Sequence, residues 1–263
     1  MTPLQMPGRA GTRLRQLGER ARIGDLYGTV GAGIYHRMAS TDAVEVRELL
    51  ALARGTDGPI LDLAAGSGRI TLPLLTLGRP VTALELSAAM LDILRRRADA
   101  LPASTAQRLT LVQADMSAFA LPQRFGAIVL GITSVCLLDE DGRRGLYDCV
   151  RAHLTPEGRF LVTLLAPDPD ATADADTVYD IGDGAVMYSY AEPGAAERYV
   201  TIIREQPGQD VVDVCTSRIR EITAAQLTAE LERAHFVVRQ AAQIDGEPVP
   251  GRIHNVFDIR LAP

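Results

Sequence analysis

From residue 60 to residue 166 the chain alternates short apolar runs with segments of helical spacing, and no other feature narrows its fold so far. ILDLA, PVTALEL, RLTLVQAD, FGAIVLGITSV and RFLVTLLA read as strands. RITLPLLTLG, SAAMLDILRRRADAL and DEDGRRGLYDCVRAHL read as helices between them. Strands that are apolar almost throughout are buried on both faces, as in parallel sheets, and each must return through a crossover, usually a helix. The expectation is an α/β chain with a doubly wound sheet of four or five parallel strands, its ligand seated at the carboxyl ends of the central ones.

The first strand runs into the small-residue turn of ILDLAAGSGRI, residues 60 to 70. Gly66 and Gly68 let the backbone bend sharply and come close to a ligand, since no Cβ stands in the way. Arg69 to Leu77 is spaced as a helix, with Pro73 in its first turn where a missing N–H does least harm. The free N–H groups of such a helix point back at the turn and favour a polar or anionic ligand.

Outside this core the pattern changes. About 20 residues rich in Gly, Arg and Gln open the chain and read as a frayed arm. A glycine-broken segment with Tyr27, Tyr35 and His36 follows, then a helix carrying Val44, Val46, Leu49, Leu50 and Leu52, capped by Ser40, Thr41 or Asp42. After Ala166, PDPDATADADTVYDIGDG reads as an exposed loop without calcium-loop spacing. AVMYSYAEPG, ERYVTIIREQPG and DVVDVCTSRIREI then read as three antiparallel strands, an insertion on the main sheet. A helix capped by Thr223 and strands FVVRQAAQ and HNVFDIRLA complete the chain. The expected division is 1–57 as an arm and helices over the site, 58–166 as the binding core, 167–222 as an antiparallel cap, and 223–263 as elements completing the core.

Charge and residue usage exclude several functions. With 263 residues, net charge −6 and 23% charged residues, the chain offers nucleic acid and anionic membranes no basic surface. No apolar run reaches the roughly 18 residues that span a bilayer, and the first 22 residues lack the apolar middle of a signal peptide; the expected setting is cytoplasmic. Cys136, Cys149 and Cys215 are scattered without CxxC spacing, which argues against a disulfide framework or a zinc site, and no metal is expected. All 27 basic residues are Arg, which excludes Schiff-base and P-loop lysine chemistry.

Three places decide what the turn binds. One is the turn itself, from Asp62 to Gly68. Another is Glu85, ending the second strand, where a carboxylate can accept from ribose hydroxyls. The third is Asp115 in QADMSAF, ending the third strand, where a carboxylate can accept from an exocyclic amine. Carried on successive strands, these features resemble a class I S-adenosylmethionine-dependent methyltransferase across residues 58 to 166. LDLAAGSGRITLPL resembles the first motif of that family, TALELSAAML the second and LVQADMSAF the third.

The resemblance implies a Rossmann-like sheet, S-adenosylmethionine as cofactor and S-adenosylhomocysteine as product. It puts Gly66, Ser67 and Gly68 against the amino-acid and ribose portions, and Glu85 on both ribose hydroxyls. Leu86 and Met90 would pack the adenine, Asp115 and Met116 address its edge, and Leu130 and Gly131 line the methionine portion. Arg69 or Arg37 would meet the cofactor's carboxylate. Ala64 stands where the family usually has glycine, which is tolerable only at a negative φ. Gly126 replaces a frequent acidic residue and is expected to be structural.

A nicotinamide dinucleotide fingerprint would need a third glycine where Thr71 stands, and a cofactor-binding partner protein without catalysis is the alternative from another class. An in-line methyl transfer to an amine requires mainly positioning and an acceptor for the amine's proton. Candidates for that acceptor are Tyr35, His36 and His254, with His153 and His235 expected to be structural. Tyr27, Tyr35, Tyr188 and Tyr190 are the expected substrate-facing residues, Tyr188 and Tyr190 sharing one face of a strand. YHRMASTDAVEVRELL, VLGITSVCLLDEDGRRGLYDCVRAHL and the insertion are similar to methyltransferases of natural-product clusters that dimethylate the terminal amine of ribosomally made daptide-type peptides. That resemblance implies a peptide or small-molecule amine as substrate, with a homodimer left open.

Overall fold

The computed structural model describes residues 6–39, 44–171, 176–192, 194–244 and 250–263. In chain order the elements are α1 (Gly8–Leu17), β1 (Ala21–Asp25), α2 (Ala32–Ala39), α3 (Val44–Arg54), β2 (Ile60–Leu63), α4 (Thr71–Leu75), β3 (Val81–Glu85), α5 (Ala88–Asp99), α6 (Ala103–Ala106) and β4 (Leu109–Gln113). There follow β5 (Phe125–Leu130), α7 (Glu140–His153), β6 (Leu154–Pro167), β7 (Asp176–Asp180), β8 (Ala185–Tyr190), β9 (Glu197–Arg204), β10 (Val212–Arg220), α8 (Ala224–Arg233), β11 (Phe236–Gln243) and β12 (Arg252–Leu261). They fall into two compact units, one of Met1–Thr41 with Thr172–Glu221, the other of Asp42–Ala171 with Ile222–Pro263.

The larger unit is built on a seven-stranded sheet in the order β11-β12-β6-β5-β2-β3-β4. The five strands from β6 to β4 pair in parallel, while β12 and β11 add antiparallel to β6. Every residue of β2, β3 and β5 is buried, as expected of central parallel strands that are apolar apart from Asp62, Thr82 and Glu85. Leu63 lies opposite both Leu84 and Leu130, and Glu85 opposite Gln113, so the carboxyl ends of four strands form one edge.

One face of that sheet is covered by α3 and α4, whose Leu49, Ala53, Leu74 and Leu75 meet Ile60, Ala127, Val129 and Leu161. Ser87 caps α5 and Asp139 caps α7, each accepting from a backbone N–H three residues on. At α8 Thr223 and Gln226 form a full capping box. Arg143 of α7 forks onto both oxygens of Glu230 of α8 at 2.7 Å, and the Tyr147 hydroxyl donates to the same carboxylate at 3.1 Å. A side chain at Gly126 would run into the backbone of Asp57, so an acidic residue has no room there. The expected caps of α3, Ser40, Thr41 and Asp42, lie outside the described residues.

The smaller unit departs most from expectation. Its sheet has five strands rather than three, in the order β1-β10-β9-β8-β7. The N-terminal residues expected to fray form α1, which buries Ala10, Leu14 and Leu17 against Ile203, Val212 and Val214. β1 pairs in parallel with β10, from Ala21 against Val212 to Asp25 against Thr216. β7 forms inside the stretch expected to be a loop, pairing antiparallel with β8; residues 172–175 of that stretch are outside the described residues. Both added strands lie at sheet edges, where hydrogen bonds on one side suffice and polar side chains are tolerated. Among the described residues no helix is long and apolar enough to cross a membrane.

Candidate active site

The turn after β2 is wound tighter than a helix start. α4 begins only at Thr71 and runs five residues, two short of the expected Arg69 on one side and two short of Leu77 on the other. Residues 64 to 70 are spent on the bend instead. Ala64 has φ +50°, so the expectation of a negative angle is wrong: the residue replaces glycine in a left-handed conformation, at a cost of about 1–2 kcal/mol. Gly66 and Gly68 also have positive φ, but they serve different ends. A side chain at Gly68 would strike Leu94 of α5, whereas at Gly66 it would meet no heavy atom closer than the Ala64 oxygen at 4.0 Å. Gly68 closes the turn onto the core; Gly66 leaves it open to a ligand.

Glu85, 8% exposed at the end of β3, reaches back across the turn. Its Oε2 accepts from the Gly66 N–H at 2.9 Å and its Oε1 from the Ser87 N–H at 2.8 Å. Each oxygen keeps a lone pair for a further donor. Leu86 beside it is 63% exposed, while Met90 is buried beneath at 1%. Asp115 is exposed, its Oδ1 accepting from the N–H and hydroxyl of Ser117, with Met116 buried alongside. Ser67 is buried, and its carbonyl accepts from Arg97 at 2.6 Å.

Beneath the turn, the Thr71 hydroxyl donates to Asp62 Oδ2 at 2.5 Å. Burial pushes the Asp62 carboxyl up to about 7, the Thr71 hydrogen bond and Arg69 opposing the rise. At the end of β5, Leu130 and Gly131 are buried, and Thr133 adopts φ +66°, a second non-glycine residue held left-handed on this edge. Strained backbone of this kind persists where surrounding structure over-determines it, commonly at functional sites.

A residue that the sequence reading passed over joins these pieces. Glu45, in the first turn of α3, is 0% exposed. Arg69 donates to its Oε1, while the Ile132 N–H at 2.9 Å and the Thr163 hydroxyl donate to Oε2. His254 Nε2 stands 3.8 Å from Oε2, in ion-pair range but too far for a hydrogen bond. Burial alone would raise the Glu45 carboxyl, but His254, the Arg69 charge and the Thr163 hydroxyl outweigh it and hold the group below the ordinary carboxylate value. No sequence signal marks this role, since Glu in a helix's first turn is ordinary.

The other candidates lie in the smaller unit. Tyr27 and Tyr35 meet edge to face, centroids 5.0 Å apart. Burial, reinforced by Tyr35, keeps the Tyr27 hydroxyl well above its ordinary pKa, so it is a hydrogen-bond donor and not a base. His36 lies half-buried on α2, and Arg37 pairs with Asp183 at 3.4 Å. Tyr188 packs against the α1 cluster, and Tyr190 donates to Glu192 at 3.3 Å. His153 is committed to Leu121 N–H and the Cys149 carbonyl, a structural role as expected. Cys136, Cys149 and Cys215 form no disulfide, and among the described residues no cluster of three potential metal ligands occurs.

This edge, with an open glycine, a carboxylate at the next strand end and a buried Glu–Arg pair, suits a nucleoside-bearing amino-acid cofactor. The family described as "Methyltransferase domain" matches residues 60–158. The chain is 34% identical to the glycopeptide N-methyltransferase MtfA solved with S-adenosyl-L-methionine, covering 98% of this chain and 99% of that one with a TM-score of 0.67. The CcbJ methyltransferase from Streptomyces caelestis is 25% identical over 91% of this chain and 99% of that one, TM-score 0.77. DesVI from Streptomyces venezuelae is 25% identical over 87% and 96%, TM-score 0.62. No curated protein matches the sequence. The chain belongs to the S-adenosylmethionine-dependent methyltransferases of the class I, Rossmann-like fold.

Proposed function

We propose that the chain methylates an amine of a natural-product substrate, with a peptide amine as the first class to test. The observation that carries this reading is the 34% identity to a glycopeptide N-methyltransferase over 98% of the chain, insertion included. Three cysteines scattered without disulfide-framework spacing support a cytoplasmic setting. Bound S-adenosylmethionine supplies a methyl group on a sulfonium, activated for in-line attack.

The chain's own residues supply the rest. Glu85 accepts from the ribose hydroxyls with the lone pairs that Gly66 and Ser87 leave. Leu86, backed by Met90, offers the exposed apolar surface for adenine, and Asp115 with the Met116 N–H addresses the ring's edge. Gly66, Ser67 and Gly68 shape the passage past the turn, with Ala64 bending into it. Leu130, Gly131 and Arg69 serve the methionine end. His254, whose buried Nε2 lies 3.8 Å from Glu45 Oε2 and makes no hydrogen bond among the described residues, is the larger unit's candidate for the proton acceptor. In the smaller unit Tyr27, Tyr35, Tyr188 and Tyr190 bind substrate, with His36 and Tyr35 as the other candidates for the proton.

The test is mass spectrometry of purified protein incubated with S-adenosylmethionine and three acceptors: a glycopeptide amine, a linear peptide with a free terminal amine, and small amino sugars. Gain of one or two methyl groups on nitrogen of either peptide supports the proposal. Methylation confined to the sugars moves the substrate class to small metabolites, and transfer to oxygen overturns the amine reading.

A further inference from the structure

We infer that Glu45 is a positioning residue for the methionine end of the cofactor, setting the place of Arg69 and of the backbone after β5 without touching the ligand itself. The inference rests on the reading of Arg69, Leu130 and Gly131 given above. Glu45 is 0% exposed, so any influence on a ligand must pass through the groups that bind it. Those groups come from four places on one edge: Arg69 from the turn after β2, Ile132 from the loop after β5, Thr163 from β6 and His254 from β12.

Both oxygens are engaged, and each engagement fixes something mobile. An arginine at the tip of four rotatable bonds has many rotamers; the ion pair selects one and leaves the side chain only 15% exposed. The Ile132 N–H is held at 2.9 Å immediately before Thr133, whose left-handed backbone needs outside support to persist. Glu45 Oε1 also lies 3.5 Å from where a Cβ of Gly131 would be, so the carboxylate stands directly behind the strand end that faces the cofactor. The pair is nearly neutral as a unit. Arg69 thus contributes directed N–H donors rather than an unbalanced charge, and removal of Glu45's charge would leave the guanidinium buried and free to turn away.

Charge, not volume, is the quantity to vary. Calorimetric titration with S-adenosylmethionine and S-adenosylhomocysteine is made on the wild type, Glu45→Gln, Glu45→Asp, Arg69→Met and the double Glu45→Gln/Arg69→Met, each checked for a cooperative unfolding transition. Glu45→Gln, which keeps the shape and loses the charge, is expected to bind both ligands about tenfold more weakly. Glu45→Asp, which keeps the charge and loses a methylene, should recover part of that loss, a result that a space-filling role would reverse. Arg69→Met should also weaken binding, and the double variant no further than Arg69→Met alone.

Wild-type affinity in Glu45→Gln, or losses that multiply in the double variant, would overturn the inference. Wild-type affinity in Arg69→Met would instead overturn the reading of Arg69, and the inference with it. If Glu45→Gln alone proves too unstable to titrate, the double variant still decides, since it removes both buried charges together: binding weaker than in Arg69→Met means that Glu45 does not act through Arg69.

Discussion

Replacement of Glu85 by glutamine is the sharpest test of the site, because the two side chains have nearly the same shape and differ in what they can accept. In the structure each carboxylate oxygen receives one backbone N–H, from Gly66 at 2.9 Å and Ser87 at 2.8 Å. An amide has only one oxygen. Whichever way it turns, its NH2 must face an N–H, and one of the two hydrogen bonds is lost outright. A bond to a charged acceptor contributes about 1.5–3 kcal/mol; with Gly66 and Ser87 only partly buried, water recovers some of this, leaving a loss of about 1–2 kcal/mol. With Glu85 as the proposed acceptor of the ribose hydroxyls, the same change removes that acceptor's charge, and a further loss of about 1–2 kcal/mol is a five- to thirtyfold weaker affinity. Urea unfolding of the ligand-free protein reads the first loss, and calorimetry with S-adenosylmethionine and S-adenosylhomocysteine reads the second. A variant with the wild-type midpoint and affinity would show that Glu85 neither braces the turn nor meets the ribose.

Three other perturbations have definite expected outcomes. Ala64→Gly relieves about 1–2 kcal/mol of left-handed strain and returns about 0.4–1 kcal/mol of unfolded-chain freedom, so it should stabilise the protein slightly in urea while Ala64→Val destabilises it; a destabilised glycine variant would refute the strain. The Asp62 carboxyl lies near 7 in the fold against an ordinary 3.8, so the fold favours its protonated form. Its contribution is therefore full below about pH 4 and lost as pH rises through 7, and Asp62→Asn, which still accepts from Thr71, should flatten the change of unfolding midpoint between pH 4.5 and 8. Arg143→Met strands the partly buried Glu230 carboxylate and should destabilise by about 2 kcal/mol, whereas Arg143→Met/Glu230→Met should recover most of that loss; equal losses would mean that the ion pair contributes little beyond packing.

The parallel core was legible because burial on both faces leaves a simple trace: β2 and β5 are apolar with a single polar interruption between them, Asp62, and every residue is buried. Edge strands leave no such trace. β1 and β7 are five residues each, without a fully buried position, and nothing in ARIGD or DTVYD separates them from loop. α1 hid for a different reason: four buried positions, Ala10, Gly11, Leu14 and Leu17, lie among arginines and other polar residues, and the period shows only once Ile203, Val212 and Val214 supply the opposite face. At the site, Glu85 and Asp115 could be singled out because Glu85 ends β3 and Asp115 stands two residues past β4, both readable positions. Glu45 was not, because its partners at Arg69, Ile132, Thr163 and His254 are brought to it by the fold alone. Ala64 was misjudged because a turn that elsewhere takes glycine was assumed to relax around alanine; the turn keeps its shape and the residue bears the strain.

The pairing of β1 with β10 also governs the order in which this molecule can be made. Arg22 and Asp213 are joined across 191 positions of chain, so the first strand has no partner until nearly the whole sequence has left the ribosome. At 5–20 residues per second that interval lasts about 10–40 s. Throughout it, Leu14 and Leu17 have nothing to cover them, since Ile203 and Val212 have yet to be synthesised. The Asp42–Ala171 segment, by contrast, carries all five parallel strands and most of the crossover helices in one continuous run. Synthesis therefore completes the five parallel strands well before β10 lets the smaller sheet close, leaving the opening segment as the stretch for chaperones and proteases to find.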